Sequence, residues 1–325
     1  MNYTNGHLDS SNLKCKICKK DNLEFVFITK GNDDFNNKIF YLFRCKDCGV
    51  INIFPSLDAV QIESLYFNEY YGNFLPGFKY ILNFFNNLFL DYKVRKVIEY
   101  TKRSGIILDY GCGNAEFLIK MKQYGWEIYG IEPSINCNLE FVKKSLKDLK
   151  LDKKFDLITL WHVFEHLDRP IECLSNLLKL IDSKGILFLS LPNFDSWESL
   201  IGKGKWFHLD IPRHIVHYTP ESIIKLLEKN GLSIIKIDYF SIFYNTFGVL
   251  QTIFNICGFE QNFLYNTLKR GVNYRKKISL LYLIYNVVFH LILFIPILFI
   301  SFIFSIISSV FKKSGTIEII CRKRI

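Results

Sequence analysis

From residue 105 to 241 the chain alternates strand-like and helix-like runs, and few folds accept that rhythm. GIILDYG, WEIYGIE, FDLITLW, GILFLSLPN and LSIIKIDYFSIF read as strands, while AEFLIKMKQYG, IECLSNLLKLI and TPESIIKLLEKNG read as helices. The last of these has a Thr N-cap, Pro at the first helical position and a closing Gly. Strand and helix taken in turn predict a parallel sheet with crossover helices. The 325 residues suit about two domains, so further modules should flank this one.

Ahead of it, Cys15-Lys-Ile-Cys18 and Cys45-Lys-Asp-Cys48-Gly49 form two C-x-x-C knuckles around the strand-like runs LEFVFITK and KIFYLFRC. Each spacing points two thiolates at one tetrahedral ion, and the closed four-sulfur shell predicts a structural zinc site with no catalytic position. Neither pair opens a helix after a strand, which disfavours a redox motif. Residues 1–14 show no basic region followed by an apolar run, so the catalytic part is expected in the cytoplasm, where paired cysteines hold metal.

Leu108-Asp109-Tyr110-Gly111-Cys112-Gly113-Asn114-Ala115 ends one strand and opens a helix. Glycines at 111 and 113 let the backbone turn tightly and approach a ligand. Three details separate this loop from a dinucleotide site. The third glycine of G-x-G-x-x-G would fall at Glu116, whose carboxylate opposes a pyrophosphate. Asp109, before the first glycine, suits a ligand bearing an ammonium group. Glu132 closes the next strand about 20 residues on, where a carboxylate binds ribose hydroxyls.

Residues 108–115 resemble the D-x-G-x-G-x-G first motif of class I S-adenosylmethionine-dependent methyltransferases, with Ala115 at the third small position. FDLITLW followed by His162-Val-Phe-Glu165-His166-Leu is similar to the segment after that family's fourth strand, in the branch with a Glu-His pair that includes quinone-pathway enzymes. GILFLSLPN is similar to the fifth strand, and TIEIICRKR to the antiparallel last one. The ribbon, CGVINIFPS and YFNEYYGNF resemble the N-terminal region of zinc-bearing sugar C-methyltransferases. The resemblance implies an α/β fold, a Rossmann-like seven-stranded sheet with helices on both faces, binding S-adenosylmethionine. It gives Asp109 to the methionine amino group, Gly111 and Gly113 to the methionine and ribose, and Glu132 to the ribose hydroxyls. Ser145 and Leu146 fall near adenine, with Asp148 as the next carboxylate, and Tyr110, Pro133 and Trp161 complete the implied cofactor set.

Methyl transfer needs in-line approach of a nucleophile and removal of its proton. Trp161, His162, Glu165 and His166 lie at the carboxyl end of a strand, where parallel sheets bind ligands. Arg213, His214, His217 and Tyr218 form a second cluster before a helix. Sugar methyltransferases often read H-x-S-Y-F-S there, and His214-Ile-Val-His217-Tyr218-Thr219 is similar. The likeness makes His214 the preferred base, its imidazole titrating near working pH, with His217 polarising the acceptor and Glu165 and His166 organising the loop.

Residues 278–311 contain no Lys, Arg, Asp or Glu, and Lys269, Arg270, Arg275, Lys276 and Lys277 precede them while Lys312, Lys313, Arg322, Lys323 and Arg324 follow. The net charge of +10 therefore points to an anionic membrane surface and makes nucleic acid the minority partner. One helix of this length would reach about 50 Å, against roughly 30 Å of hydrocarbon. Pro296 near its middle, and a last strand that must return to the sheet, predict a re-entrant or hairpin-like helix pair. A buried hairpin in a homo-oligomer is the rival.

The expected organisation is a zinc ribbon (1–54), a helical linker or lid (55–104), a cofactor-binding core (105–241), a hydrophobic insertion (242–314) and a last core strand (315–325). The expected activity is methylation of a small or lipid-linked acceptor, a saccharide of surface-polysaccharide biosynthesis, at the cytoplasmic face of the inner membrane. O-Methylation of an isoprenoid phenol, and a scaffold that binds the cofactor without turnover, are the alternatives.

Overall fold

The computed structural model describes residues 3–4, 7–8, 13–32, 35, 38–57, 61, 76–101, 104–133, 139–149, 153–270 and 280–324. YFNEYYGNF and the basic residues 275–277 lie outside them. After a short pair, β1 (Tyr3–Thr4) and β2 (His7–Leu8), comes an antiparallel meander of β3 (Leu23–Lys30), β4 (Ile39–Cys45) and β5 (Ile51–Phe54). Helix α1 (Pro76–Ile98) then leads to β6 (Ile106–Tyr110), α2 (Glu116–Gln123), β7 (Glu127–Ile131), β8 (Val142–Lys143) and β9 (Phe155–Trp161). The chain continues through α3 (Pro170–Leu180), β10 (Ile181–Pro192), α4 (Trp197–Gly202), β11 (Val216–His217), α5 (Pro220–Lys229) and β12 (Leu232–Asp238). Helices α6 (Ile242–Ile256), α7 (Phe263–Arg270) and α8 (Leu280–Val310) precede the last strand, β13 (Thr316–Lys323).

The seven-stranded sheet has the order β12-β13-β10-β9-β6-β7-β8, with β13 antiparallel to both neighbours. Strand β9 shows why these runs became central strands: Asp156 apart, every residue from Phe155 to Trp161 is buried, as two covered faces require. One face packs Leu174 and Leu177 of α3 with Ile223, Leu226 and Leu227 of α5. The other packs Leu90, Val94 and Val97 of α1 with Phe117, Leu118 and Met121 of α2. Each such side chain contributes about 1.5–3 kcal/mol of transfer free energy. The chain moves from β6 outward through β7 and β8, then returns to place β9 on the other side of β6. The carboxyl ends of β6 and β9 thus flank a topological switch point, where such sheets open a crevice.

Two sequence expectations need correction. The ribbon is not closed at residue 54, because β11 pairs antiparallel with β5 and makes a four-stranded sheet, β11-β5-β4-β3. Two residues expected within the cofactor-binding core therefore complete the four-cysteine module. Such non-local pairing leaves no periodic trace in a two-residue strand.

The hairpin expected in residues 278–311 is instead one 31-residue helix, running through Pro296. The proline lies on the exposed side, so its ring disturbs no packing. Asn286, His290, Ile297, Ser301, Ser305 and Ser308 form a buried stripe at helical spacing. The Glu260 amide donates to Asn286 Oδ1 (2.9 Å), the His290 ring stacks on Phe254 (4.0 Å), and Phe304 and Phe311 meet Trp197 of α4. The helix thus lies along the body over its length. Its polarity is inverted: the polar side chains face inward, while Leu281, Ile284, Leu291, Ile292, Ile295, Phe299, Ile303 and Val310 face outward.

Candidate active site

Asp109, one residue from the end of β6, is buried, and the Thr159 hydroxyl of β9 donates to its Oδ1 at 2.6 Å. The chain then turns through Gly111 (φ 79°) and Gly113 (φ 54°). A Cβ at Gly111 would lie 2.4 Å from the Val163 side chain, so only glycine fits where this loop meets the loop after β9. The Gly111 amide donates to the Ile131 carbonyl (2.7 Å), and the Gly113 amide to Glu132 Oε2 (2.8 Å). Glu132 is thereby fixed beside the glycine loop, and its charge is close enough to act on Asp109. Burial pushes the Asp109 carboxyl up to about 6, with Lys93 and the Thr159 hydroxyl opposing the shift.

Lys93 carries no signal in the sequence that marks it for this place. Its ammonium sits over the rings of Trp161 (4.4 Å), Phe117 (5.1 Å) and Phe89 (5.5 Å), within electrostatic reach of Asp109. Burial brings its pKa down to about 8. Neighbouring residues of α1 hold it there: the Tyr92 hydroxyl donates to buried Glu318 of β13 (2.8 Å), and Lys96 pairs with Glu318 (3.4 Å) and Asp238. A buried anion beside a cation is the complement of a zwitterionic amino-acid group, so the residues present fit the methionine end of S-adenosylmethionine.

The other implied cofactor residues divide. Trp161 lies beneath Lys93 and against Phe117 (5.6 Å). Tyr110 is directed away from the loop, toward Cys173 of α3. Pro133 is exposed. Ser145 follows β8, which pairs with β7, and its amide and hydroxyl both donate to Asp148 Oδ2 (3.0 and 2.9 Å). Asp148 thus caps the turn carrying Leu146, which packs partly buried against the core.

His162, just past the end of β9, has a left-handed backbone (φ 53°), uncommon outside glycine although asparagine, aspartate and histidine adopt it more readily than other side chains. Its Nδ1 lies 3.3 Å from Glu165 Oε1, its Nε2 lies 3.3 Å from Ser190 Oγ, and its ring packs on Tyr244 of α6 (4.2 Å). His214 approaches the same carboxylate through Nε2 at 3.8 Å, while its Nδ1 bonds the His208 carbonyl (2.8 Å). The His166 ring meets His214 edge-on (4.6 Å) and bonds the Arg213 carbonyl (2.9 Å). His217 faces Phe194 and Trp206. His162, His166 and His214 therefore gather around Glu165, which is itself buried, and His217 stands behind them with its ring 5.7 Å from that of His214.

The neutral-range titration expected of His214 is not what its surroundings allow: burial and the His166 ring hold it well below the usual imidazole value. Burial, with the Lys93 cation, also brings His162 down to about 3, so both rings are neutral at physiological pH. Ligand atoms of Glu165, His166 and His214 lie within 4.8 Å of one another, as do the sulfurs of Cys15, Cys18, Cys45 and Cys48. Lys93, Thr159, Ser190 and Tyr244 are the contributors sequence reasoning missed. They come from four elements, brought together only by packing.

A carboxylate ending β6, a second ending β7 and a glycine loop between them, on a seven-stranded sheet with an antiparallel β13, define a class I S-adenosylmethionine-dependent methyltransferase. Residues 85–237 match the family model described as a methyltransferase domain, and this chain is a methyltransferase of that class. It is similar to the ubiquinone biosynthesis O-methyltransferase of Rickettsia bellii, 25% identical over 175 residues that span 47% of this chain and 73% of the relative. It is also similar to the mitochondrial ubiquinone biosynthesis O-methyltransferase of Saccharomyces cerevisiae, 30% identical over 169 residues covering 44% of this chain and 54% of that one. A solved S-adenosylmethionine-dependent methyltransferase from Archaeoglobus fulgidus aligns with 72% of this chain and 93% of its own, at 25% identity and a TM-score of 0.44.

Proposed function

We propose that this chain O-methylates a phenolic hydroxyl on an isoprenoid-bearing acceptor. The observation that carries the reading is the His162–Glu165 couple (3.3 Å), whose backbone neighbour Val163 touches the glycine loop at Gly111. His162 feels the Lys93 cation, which lies beside Asp109, whereas the groups acting on His214 are His166, Glu165, Asp210 and His217. We therefore assign the base to His162 rather than His214. The ubiquinone biosynthesis relatives support the phenol over the saccharide. The saccharide is the second reading, favoured by the four-cysteine ribbon.

In this reading Asp109 accepts from the methionine ammonium, Lys93 faces the carboxylate and Glu132 binds the ribose diol. Ser145 and Leu146 lie toward adenine. S-adenosylmethionine supplies an electrophilic methyl group when bound. Glu165 Oε1, 3.3 Å from His162 Nδ1, favours the tautomer with the proton on Nδ1, which leaves Nε2, 3.3 Å from the Ser190 hydroxyl, to take the acceptor's hydroxyl proton as its oxygen becomes nucleophilic. His166, His214 and His217 shape the acceptor side. Incubation with methyl-labelled donor and a mixture of polyprenyl phenols and nucleotide sugars should place label on the phenols. Label on the sugars alone would contradict this reading.

The Asp109 and Lys93 values also set a pH window. Affinity for S-adenosylhomocysteine should be greatest between about 6 and 8. Below pH 6 Asp109 takes up a proton that the ligand ammonium must displace, weakening binding by up to about tenfold per unit. Above pH 8 Lys93 and the ligand amine both lose charge. Calorimetry across pH 5–9 checks this, and a flat profile would exclude the ion pairing.

A membrane-resident acceptor agrees with α8. Its outward apolar face, roughly 46 Å long for 31 residues, suits a helix lying in the plane of one leaflet, with exposed Lys312 at the lipid surface. Crossing the bilayer would strip the body from Asn286, His290 and the buried serines. The protein should float with anionic vesicles, and Ile295→Lys with Phe299→Lys should abolish flotation while leaving cofactor affinity unchanged. Flotation that survives both lysines would exclude this face.

The four cysteines hold structural zinc in this account. Cys15–Cys48 and Cys18–Cys45 sulfurs are each 3.5 Å apart. A zinc tetrathiolate with bonds of about 2.3 Å needs roughly 3.8 Å.

A further inference from the structure

The metal module and the acceptor side are joined at one buried side chain. Asn52 of β5 has no exposed surface. Its Oδ1 accepts from the Lys16 amide, inside the first knuckle, at 2.8 Å. Its Nδ2 faces Cys15 Sγ (3.6 Å) and the Val50 carbonyl (3.4 Å). The backbone of Asn52 is the register partner of Val216, and Ile51 that of His217. Lys16 also extends its ammonium to the Ile215 carbonyl (3.4 Å). In the second knuckle, Gly49 sits against Ser222, the residue that completes the cap of α5 with Thr219.

From there the contacts run inward. The Ile215 amide donates to the Glu165 carbonyl, His166 bonds the Arg213 carbonyl, and residues 213–217 carry His214, whose Nε2 lies 3.8 Å from Glu165 Oε1, and His217 beside it. Strand β11 is only two residues long, too short to hold its own register. The nearest further pairing, an isolated parallel bridge between Asn193 and Tyr218, lies just beyond it. The ribbon supplies what the strand lacks.

We infer that Asn52 is a positioning residue: it transmits the order of the four-cysteine centre to residues 213–218, so that metal binding sets the acceptor wall and leaves the cofactor pocket untouched. The residues assigned to the methionine and ribose, Asp109, Lys93 and Glu132, lie on β6, on α1 and just past β7, and among the described residues none of these elements pairs with the ribbon sheet. Zinc removal and Asn52 replacement should therefore act alike and locally.

The test is amide hydrogen exchange on the full chain in three forms: zinc-loaded, zinc-stripped by chelation, and zinc-loaded Asn52→Ala. Stripping, and the substitution with zinc retained, should each speed exchange at 213–218 by about tenfold or more while residues 106–131 stay protected. S-adenosylhomocysteine affinity by calorimetry should stay within about twofold in all three. Zinc content, measured by mass spectrometry, distinguishes loss of the metal from loss of the link. Asn52→Asp, which keeps the acceptor for Lys16 but sets a negative charge against Cys15, should release zinc faster to a chromogenic chelator. Unchanged protection at 213–218 after stripping would overturn the inference. So would exchange rising equally across the core strands, the mark of general destabilisation. Should Asn52→Ala fail to fold, the stripped wild-type chain gives the same reading.

Discussion

His162→Asn should lower kcat by about 10²–10⁴ while leaving S-adenosylhomocysteine affinity within about twofold, because it removes the proton acceptor and spares the cofactor pocket. Asparagine is the informative replacement. It tolerates the left-handed backbone that His162 adopts, so the loop touching Gly111 keeps its course. Glu165→Gln should reproduce part of the loss, since the amide can no longer hold the Nδ1 proton of His162 as a carboxylate does. His214→Asn provides the contrast. Its ring is tied at Nδ1 to the His208 carbonyl and stands further from Glu165 than His162 does (3.8 against 3.3 Å), so its loss should raise KM more than it lowers kcat. Steady-state kinetics with a labelled methyl donor separate the two. A larger kcat loss at His214 would return the base to the second histidine cluster.

The second large effect concerns Asp109. Asp109→Ala should weaken S-adenosylhomocysteine binding by about 10²–10³, since breaking a buried pair on one side costs about 3–5 kcal/mol. The substitution also strips the Thr159 hydroxyl of its acceptor and leaves Lys93 without its nearby anion. Asp109→Asn keeps an oxygen for Thr159 and lacks only the charge, so it isolates the ionic part. Calorimetry with both variants, alongside thermal melts that exclude unfolding, checks the prediction. Affinity near that of the parent in Asp109→Asn would mean that the ammonium is held elsewhere.

What could be read from the chain alone follows the range of the interactions involved. Strand β9 and the glycine loop were legible because a two-face-buried strand and a tight turn each impose residue types over a few positions. The Thr219 cap was legible for the same reason. The meeting of the four cysteines was legible because two C-x-x-C pairs of equal spacing flank one hairpin. Lys93 was not, because nothing in α1 records that Tyr92 and Lys96 would dock that helix on Glu318 and turn its cation over Trp161. The pairing of β11 with β5 was equally silent, as it joins residues about 165 apart by backbone bonds alone. Pro296 misled: proline was read as a break, whereas the helix carries it on the outward side and continues. For His214, residue type suggested titration near neutrality, and only burial reveals how far its pKa is depressed. The conclusions drawn from type and spacing held where a backbone shape demanded them, and failed where the environment decides.

The most direct measurement is a titration of the intact protein with S-adenosylhomocysteine, followed both by heat and by tryptophan fluorescence. Trp161 lies under Lys93, whose cation acts on Asp109, so occupancy should change its emission in step with the heat, saturating at one ligand per chain. Neither signal appearing, even at millimolar ligand, would mean that the two carboxylates ending β6 and β7 do not form a methyl-donor site.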